Sequence, residues 1–363
     1  MLTSKTEWLL AAPKTATSSK ADTPLYPFLV RLIRGEDLTM KEASKFFRVL
    51  TDKNTYPQQI AGALVALTAK GETYAELAGM AQVMREQAVK ITTRHKNLID
   101  TSGTGSSAAK TFNVSTAVAF VVAGAGVPVA KQINRHVMSQ TGSADVLAKL
   151  GVKTSIEPEI VQACLNGAGI CFMFAPKFHP TLRRVGEIRS SLGIRTSLNL
   201  LGVLANPANV SRQITGVWHK SLLDPIAQAL ALLKAQHAWV VHGSDGLDEI
   251  TLTGETLVAE VLGNKLKTFK LTPEDFGLHR GKIEHLRADT PEQSAKIIRE
   301  VLSGRRRDEA RSLIILNAAA AILVGGLAKK PIQAARLAEQ SIDSASAQVK
   351  LERLIQTTNK KSG

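Results

Sequence analysis

Glycines and small hydroxyl side chains are concentrated between Asp100 and Thr116, between a short apolar segment and a longer one. Gly103 and Gly105 allow close approach of a ligand and positive φ angles in the turn. The free N–H groups and the positive dipole end at the start of the following helix attract phosphate oxygens. The residue types in this stretch therefore predict a site for a phosphorylated ligand.

This loop departs from two familiar nucleotide-binding patterns. A P-loop has a glycine directly before its lysine, whereas Ala109 precedes Lys110 here. The dinucleotide fingerprint has a third glycine, where this chain has Ala108. Small-residue turns between a strand and a helix are also common without any ligand. The loop alone therefore indicates a phosphate site and not a nucleotide triphosphate site.

Two adjacent carboxylates, Asp248 and Glu249, end a glycine-rich stretch that begins at His242. Solvated turn acids are one interpretation of such a pair. Beside a phosphate site, the same hard oxygens suit Mg²⁺, which is usually held by one or two carboxylates together with substrate phosphates. His179 and His242 are interpreted as hydrogen-bonded structural histidines.

Short apolar strands alternate with longer helical segments from about residue 97, a pattern typical of a parallel α/β sheet. Ligands in such sheets bind outside the carboxyl ends of the strands. We therefore expect the loops near Gly103, Lys131 and His242 to converge on one cleft. The strand candidates are 98–101, 127–130, 170–174 and 238–242, and the helix candidates are 115–125, 143–150, 159–165 and 312–327.

Residues 25–92 instead predict a run of short helices. Thr39 with Glu42, and Thr73 with Glu76, fit the capping box, in which each side chain satisfies a free N–H group of the other residue. The predicted organisation is a leader over residues 1–22, a helical domain over 23–92 and an α/β domain over 93–363. The predicted fold class is thus a small helical domain beside a larger α/β domain with a mainly parallel sheet.

The formal charge of +15 favours anionic partners, which include phosphorylated metabolites, nucleic acid and acidic surfaces. The basic residues are dispersed, and short basic clusters are usually solvated surface. An aromatic content of 4% disfavours stacking platforms for single-stranded nucleic acid.

Cys164 and Cys171 are the two cysteines of the chain, and their spacing matches no metal motif. Both are interpreted as reduced core thiols. No apolar run reaches the roughly 18 residues that span a bilayer, and the N-terminus has no signal-peptide pattern. A cytoplasmic location is predicted.

A set of ordered motifs resembles the anthranilate phosphoribosyltransferase family over about residues 25–355. The motifs lie in the family's order along the chain, and their joint occurrence is specific for it. They are Gly103-Thr-Gly105, Thr111-Phe-Asn-Val-Ser-Thr116, Lys131 with Asn134-Arg135, Gly142-Ser-Ala-Asp145, Phe174-Ala-Pro176, His179-Pro180, Leu192-Gly-Ile-Arg-Thr196, Asn206-Pro207, Val241-His-Gly243 and Asp248-Glu249.

The resemblance implies Mg²⁺-dependent transfer of a phosphoribosyl group from phosphoribosyl pyrophosphate to anthranilate in tryptophan biosynthesis. It also implies a nucleoside phosphorylase-like fold, a substrate cleft between the two domains and a homodimer formed through the helical parts. Helices near residues 182–215 are expected to return to the helical domain.

The resemblance further implies roles for individual residues. Ser115, Asp248 and Glu249 are expected to hold Mg²⁺. Gly103, Asn134 and Arg189 are expected to face anthranilate, and a guanidinium suits its carboxylate. The expected contacts of phosphoribosyl pyrophosphate are Gly103, Ser106, Ser107, Thr111, Asn113, Val114, Ser115, Thr116, Lys131, Asn134, Arg135, Ser139 and Ser143. No catalytic nucleophile is nominated.

The chain departs from the family pattern at two places. At the phosphate loop, Ser106-Ser107 replaces Gly-Asp, and nearby Lys110 adds positive charge, so Lys110→Ala is expected to raise the KM for phosphoribosyl pyrophosphate. At the acceptor side, Lys131-Gln-Ile-Asn-Arg-His136 replaces Lys-His-Gly-Asn-Arg-Ser, and Val203 replaces a proline.

Branched Ile133 restricts a segment where the family has glycine. His136 lies among the expected phosphate contacts and, at its usual pKa near 6.5, would assist an anion at low pH. These changes leave open a phosphoribosyltransferase for another aromatic amine or nitrogen base. A weakly catalytic relative that binds nucleic acid is a further alternative, motivated by the charge and disfavoured by retention of Ser115, Asp248 and Glu249.

Overall fold

The computed structural model describes residues 24–105, 111–134 and 141–360. Its N-terminal part is helical, and both predicted capping boxes are present. The Glu42 carboxylate accepts from the Thr39 N–H at 2.9 Å, and the Glu76 carboxylate accepts from the Thr73 N–H at 2.8 Å. The helices here are α1 (Tyr26–Ile33), α2 (Met40–Leu50), α3 (Pro57–Lys70) and α4 (Tyr74–Gln87).

A single sheet organises the larger domain, with the strand order β3-β2-β1-β4-β5-β6-β7 in the described chain. Neighbours from β3 to β5 pair in parallel, whereas β6 pairs antiparallel with both β5 and β7. The predicted fold class, a helical domain beside an α/β domain with a mainly parallel sheet, is confirmed. The strands are β1 (Ile99–Asp100), β2 (Val129–Ile133), β3 (Ile170–Phe174), β4 (Arg212–Gly216), β5 (His237–Gly243), β6 (Thr256–Leu262) and β7 (Lys265–Leu271).

The predicted strands correspond to β1, β2, β3 and β5, whereas β4, β6 and β7 were not anticipated. Strand β4 lies between β1 and β5, yet it contains buried Gln213 and Thr215. The Gln213 side-chain amide donates to Thr215 Oγ1 at 2.6 Å and to the Val203 carbonyl at 3.1 Å. A buried parallel strand usually appears in the sequence as a continuous apolar run, which polar residues interrupt here. In the folded protein, the two hydrogen bonds satisfy the buried polar groups of β4.

Helices cover both faces of the sheet. The predicted apolar helix over 312–327 corresponds to the buried helix α13, which begins three residues earlier and ends at Gly325. No helix within the described residues is long and apolar enough to span a membrane. The helices are α5 (Val114–Gly124), α6 (Ser143–Lys149), α7 (Pro158–Ala168), α8 (Ala175–Phe178), α9 (Arg183–Leu192), α10 (Leu198–Leu204), α11 (Leu223–Leu232), α12 (Pro291–Leu302), α13 (Glu309–Gly325), α14 (Pro331–Asp343) and α15 (Ser346–Asn359).

Two hydrophobic cores divide the molecule. The sheet core surrounds β1–β3, α5 and α13, and the helical core joins α2–α4 to α10, α11 and one face of β5 and β6. Val185 of α9 and Leu201 of α10 are buried in the helical core. Helices α9 and α10 therefore return to the helical core, as expected for the region near 182–215. The predicted range is too long at its C-terminal end, because helix α10 ends at Leu204 and residues 212–216 form β4.

The chain reverses its direction of travel across the sheet at β1. Strands β2 and β3 lie on one side of β1, and β4 and β5 lie on the other. At such a switch point the connections leave in opposite directions and open a crevice at the carboxyl ends of the strands. The loops after β1 and β4 therefore border the position where a ligand is expected.

Candidate functional site

A cleft of about 1190 Å³ lies along the carboxyl ends of β1, β2, β4 and β5 and is closed on the other side by α9 and α10. The predicted convergence of the loops near Gly103, Lys131 and His242 is partly realised: Gly103, Lys131, Asp248 and Glu249 line the cleft, and His242 is not among its lining residues. The other predicted residues that line it are Thr111, Asn113, Val114, Ser115, Asn134, Ser143 and Arg189.

The Gly103 turn is tied directly to the end of β4. The Thr104 N–H and hydroxyl both donate to the Gly216 carbonyl, at 2.9 and 3.1 Å, and the Trp218 N–H donates to Thr104 Oγ1 at 3.2 Å. Gly105 has a φ of +67°, the positive value expected for this turn. These bonds hold the turn against the strand on the far side of the switch point.

Gly216 admits the loop that carries the carboxylates. A Cβ atom at residue 216 would lie 1.4 Å from the Asp248 carbonyl oxygen, and a Cβ atom at Gly103 would lie 3.3 Å from Asp248 Oδ2. Only glycine therefore permits the observed approach of Asp248 to β4. Sequence reasoning missed Gly216, because nothing in the local pattern indicates this distant contact.

Lys131 is buried at the centre of the cleft floor. Its Nζ donates to the Thr101 carbonyl at 2.9 Å and to Ser115 Oγ at 3.3 Å. Burial lowers the pKa of Lys131 to about 8, although Asp100, Glu249 and Asp248 act in the opposite direction. The ammonium thus links the β1 loop to the start of α5 and faces the two carboxylates.

Asp100 anchors the end of β1 beneath the glycine turn. Its carboxylate accepts from the Ser102 N–H at 2.9 Å and from Asn206 Nδ2 at 2.6 Å, and Asn206 also donates to the Ala130 carbonyl at 2.8 Å. Burial raises the pKa of Asp100, while Lys131 opposes this shift. Neither residue was assigned a role from the sequence, although Asp100 begins the glycine-rich stretch and Asn206 belongs to the Asn206-Pro207 motif.

Glu249 lies in a strongly negative environment. Desolvation raises its pKa well above the usual value, with neighbouring Asp248 and Asp245 adding to the shift and Lys131 opposing it. A divalent cation would relieve this repulsion. Within the described residues, no three His, Cys, Asp or Glu side chains form a metal cluster. The donor set fits a cation held by two carboxylates, the Ser115 hydroxyl and substrate oxygens.

The start of α5 points its first turn into the cleft, with Asn113 at the N-cap. Thr116 is the exception among the predicted contacts, since it is fully buried and does not line the cleft. It lies one residue beyond Ser115, about 100° further round the helix and away from the opening. Its side chain therefore does not face the cleft, and the predicted contact of Thr116 stays a prediction.

The part of the cleft where the acceptor is expected, called the acceptor side below, is formed by α9, α10 and the end of β2. Arg189 Nη1 donates to Asn199 Oδ1 at 3.4 Å, and burial lowers the pKa of Arg189. The Arg195 guanidinium carbon lies 4.9 Å from the Trp218 ring centroid, which is cation–π geometry across the cleft edge.

The unusual residues Gln132 and Ile133 line this side and are buried, as is Val203. His179 Nε2 lies 3.3 Å from Gln132 Oε1, and burial lowers the pKa of His179 to about 4. His242 Nδ1 lies 2.8 Å from the Val217 carbonyl. Both histidines have the hydrogen-bond partners expected of structural histidines.

Several predicted residues cannot be placed. Ser106, Ser107, Lys110, Arg135, His136 and Ser139 lie outside the described residues. The assignments made for them stay predictions.

Comparison with known proteins gives a consistent result over almost the whole chain. Residues 95–348 match the model of the glycosyl transferase family a/b domain, and residues 26–88 match that of the glycosyl transferase family helical bundle domain. The anthranilate phosphoribosyltransferase of Symbiobacterium thermophilum is 42% identical over 92% of this chain and 97% of its own. The anthranilate phosphoribosyltransferase of Afipia carboxidovorans is 46% identical over 90% of this chain and 96% of its own.

Solved structures agree with the sequence relatives. The anthranilate phosphoribosyltransferase of Thermus thermophilus superposes with a TM-score of 0.86 at 37% identity, covering 92% of this chain and 99% of its own. The Saccharomyces cerevisiae enzyme in complex with PRPP and Mg gives a TM-score of 0.84 at 27% identity. This match covers 94% of this chain and 98% of the yeast chain. With the cleft geometry described above, these matches show that the chain belongs to the anthranilate phosphoribosyltransferase family.

Proposed function

We propose that this protein transfers the phosphoribosyl group of phosphoribosyl pyrophosphate to the amino group of anthranilate and releases pyrophosphate, a step of tryptophan biosynthesis. The observation that carries the proposal is the meeting of four groups at one sheet edge: the Gly103 turn, the start of α5, buried Lys131 and the Asp248-Glu249 pair. Together they offer backbone N–H groups, an ammonium and two carboxylates to a diphosphate with its cation.

The Gly103 turn, the start of α5, Lys131 and the Asp248-Glu249 pair are together called the phosphate side of the cleft. This side is proposed to bind phosphoribosyl pyrophosphate. Ser115 and Val114 open α5, where the N–H groups and helix dipole attract oxyanions. Lys131 adds a positive charge that little water screens. The remaining predicted contacts complete the set by resemblance: Ser106, Ser107, Thr111, Asn134, Arg135, Ser139 and Ser143.

Ser115, Asp248 and Glu249 are the proposed ligands of Mg²⁺. The yeast relative was solved with PRPP and Mg, which supports use of the ion in this family. When bound, Mg²⁺ would neutralise negative charge on the departing pyrophosphate. Lys131 and the N–H groups of α5 would contribute to the same stabilisation of the pyrophosphate.

The acceptor side is proposed to orient anthranilate, with its carboxylate towards Arg189 and its ring near Asn134 and Gly103. A yeast relative was solved with 4-fluoroanthranilate, which supports anthranilate as the acceptor. The aromatic amine is a neutral nucleophile, and positive charge develops on the ribose as the bond to pyrophosphate breaks. Correct placement of the amine beside ribose C1 therefore contributes more than a strong base would.

Transfer to a different aromatic amine is the second candidate function. The observation that favours it is the burial of Gln132 and Ile133 in the acceptor wall, where their side chains change both the shape and the hydrogen bonding of the cleft. Both functions share the phosphate side and differ only in the acceptor.

A steady-state assay separates the two candidates. When purified protein is mixed with anthranilate, phosphoribosyl pyrophosphate and Mg²⁺, the fluorescence of anthranilate is expected to fall as it is consumed. One pyrophosphate should be released for each anthranilate lost. Omission of Mg²⁺ serves as the control. Pyrophosphate release with another aromatic amine, and none with anthranilate, would favour the second candidate.

A homodimer in the cytoplasm, built through helical residues 23–92, is also proposed. Exposed apolar side chains on this part include Ile33, Tyr56, Val65 and Tyr74, which are suited to a subunit contact. Sedimentation equilibrium is expected to give twice the chain mass. Charge substitutions at Tyr56 and Val65 should shift that mass towards the monomer.

A further inference from the structure

We propose that Ser294 is a positioning residue for the phosphate side of the cleft, acting through Asn113. The inference rests on the proposed binding of phosphoribosyl pyrophosphate at the start of α5. Ser294 lies on α12, 181 residues from Asn113 in the sequence, and does not line the cleft. We call Ser294, Asn113 and Thr141 the serine clamp.

Ser294 holds Asn113 by two bonds at once. Its Oγ accepts from the Asn113 backbone N–H at 2.9 Å and donates to Asn113 Oδ1 at 3.0 Å. Ser294 is fully buried, so water does not compete for these bonds. Both the backbone and the side chain of the α5 N-cap are therefore fixed relative to α12.

Asn113 also forms a hydrogen bond with a second segment, at Thr141. Its Nδ2 donates to the Thr141 carbonyl at 3.3 Å, directly before Gly142 and Ser143. The Ala144 N–H in turn donates to the Asn134 carbonyl at 3.2 Å. The Asn113 amide thus connects the start of α5 to the segment carrying Ser143, and a separate backbone hydrogen bond connects that segment to the residue that follows β2.

The preceding backbone is anchored by the same part of the chain. The Phe112 N–H donates to the Leu286 carbonyl at 2.9 Å, and α12 itself begins at a Thr290 N-cap whose side chain accepts from the Gln293 N–H. Residues 286–294 therefore hold the backbone at the start of α5 at two points, through Leu286 and Ser294. Asn113 uses both ends of its amide for these connections and also lines the cleft, so a supporting role is added to its predicted contact with the ligand.

The clamp acts by organising the site before substrate arrives. A misplaced helix start weakens every N–H contact with phosphate together, while the acceptor wall on α9 and α10 keeps its geometry. Loss of the Ser294 hydroxyl should therefore affect phosphoribosyl pyrophosphate much more than the acceptor.

The test compares Ser294→Ala with Ser341→Ala. Ser341 is a matched control because its buried hydroxyl donates to the Val121 carbonyl of the same helix α5, at 2.8 Å and away from the cleft. Ser294→Ala is expected to raise the KM for phosphoribosyl pyrophosphate about tenfold, with less than about a twofold change in the KM for anthranilate. Ser341→Ala should change neither KM, although it lowers the Tm comparably.

A double-mutant cycle tests the route through Asn113. In an Asn113→Ala background, Ser294→Ala should raise the KM for phosphoribosyl pyrophosphate by a smaller factor than in the wild type, since the bond to Asn113 Oδ1 is gone and only the bond from the backbone N–H of residue 113 remains to be lost. Ser294→Cys keeps the side-chain size with weaker hydrogen bonds and serves if the alanine variant does not fold; an intermediate KM is expected. Equal KM values for the Ser294 variants and Ser341→Ala, or additive effects in the cycle, would overturn the inference.

Ser115→Ala separates this inference from the proposed function. If calorimetry shows that Ser115→Ala leaves binding of phosphoribosyl pyrophosphate unchanged, the assignment of the phosphate side fails. If Ser115→Ala weakens binding while Ser294→Ala matches Ser341→Ala, only the positioning role fails.

Discussion

The two sides of the cleft are built in different ways. The phosphate side consists mainly of backbone, with Gly103, Gly216 and the start of α5 held by hydrogen bonds from residues far away in the chain. The acceptor side consists of side chains, with Arg189 and Gln132 projecting from the wall. On the first side the chain keeps the Gly103 turn, Lys131 and the Asp248-Glu249 pair of its family and departs at Ser106-Ser107. On the second side it departs at Gln132, Ile133 and Val203. A backbone site fixes the ligand class, whereas a side-chain wall can be altered residue by residue.

The largest effect is expected from the carboxylates of the phosphate side. Asp248→Asn with Glu249→Gln removes the proposed cation ligands and should lower kcat/KM by about 10²–10³. The Mg²⁺ concentration for half-maximal rate should rise as well. Glu255→Gln, at an exposed carboxylate that pairs with Lys270, is the control and should leave both values unchanged. A double variant with normal Mg²⁺ dependence would remove the pair from the cation site.

Gly216→Ala tests the backbone character of the same side. The added Cβ atom collides with the Asp248 carbonyl oxygen, so the free energy of unfolding should fall by about 1–3 kcal/mol and activity should fall with it. Gly167→Ala is the control, because Gly167 is in helix α7 with no atom within 4 Å of the position that an alanine Cβ would take, and alanine favours helix. Urea denaturation measures both variants. Equal stability would mean that the Asp248 loop moves away without cost.

The acceptor side should respond more selectively. Gln132→His with Ile133→Gly restores the family pattern, and the KM for anthranilate is expected to change by about tenfold, since small changes in pocket shape shift selectivity by such factors. The KM for phosphoribosyl pyrophosphate should stay within about twofold. A parallel change in both KM values would show that the two sides are not independent.

The smallest effect concerns His179, a buried residue that contacts Gln132 and lines the cleft. Its pKa in the folded protein is about 4, below its usual value because of burial and nearby Lys90. As pH falls from about 6.5 to 4, the unfolded chain gains a proton that the folded chain does not, so the free energy of unfolding decreases. His179→Gln should remove about 1–3 kcal/mol of this pH dependence.

Denaturation at about pH 7 and about pH 4.5, on either side of the usual histidine pKa, measures the difference. The exposed histidine variant His279→Gln is the control. An unchanged pH dependence in His179→Gln would contradict the assigned pKa.

Local signals in the sequence predicted most of the fold. The capping boxes at Thr39 and Thr73 depend on residues three positions apart, and strand β3 is a continuous apolar run, so neighbouring residues suffice to identify them. Strand β4 was missed because Gln213 and Thr215 satisfy each other only after folding. Its position next to β1 depends on pairing over more than 100 residues.

The same distinction holds for the candidate site. Gly103, Ser115 and Asp248 belong to motifs with recognisable spacing, and they do line one cleft. Ser294 and Gly216 carry no motif, since their importance comes from a contact with Asn113 or Asp248 that the chain makes only in three dimensions. Local pattern therefore indicates the groups that face a ligand better than it indicates the groups that support them.

The division into two hydrophobic cores has a consequence for how acceptor preference can change. Val185 and Leu201 place the acceptor wall on the interior of the helical bundle, whereas the α5 start belongs to the core around the sheet. Repacking within the bundle can tilt α9 or α10 and reshape the acceptor pocket without touching any residue that lines it. New substrates can thus be reached through mutations that look purely structural, while the donor site stays insulated from them.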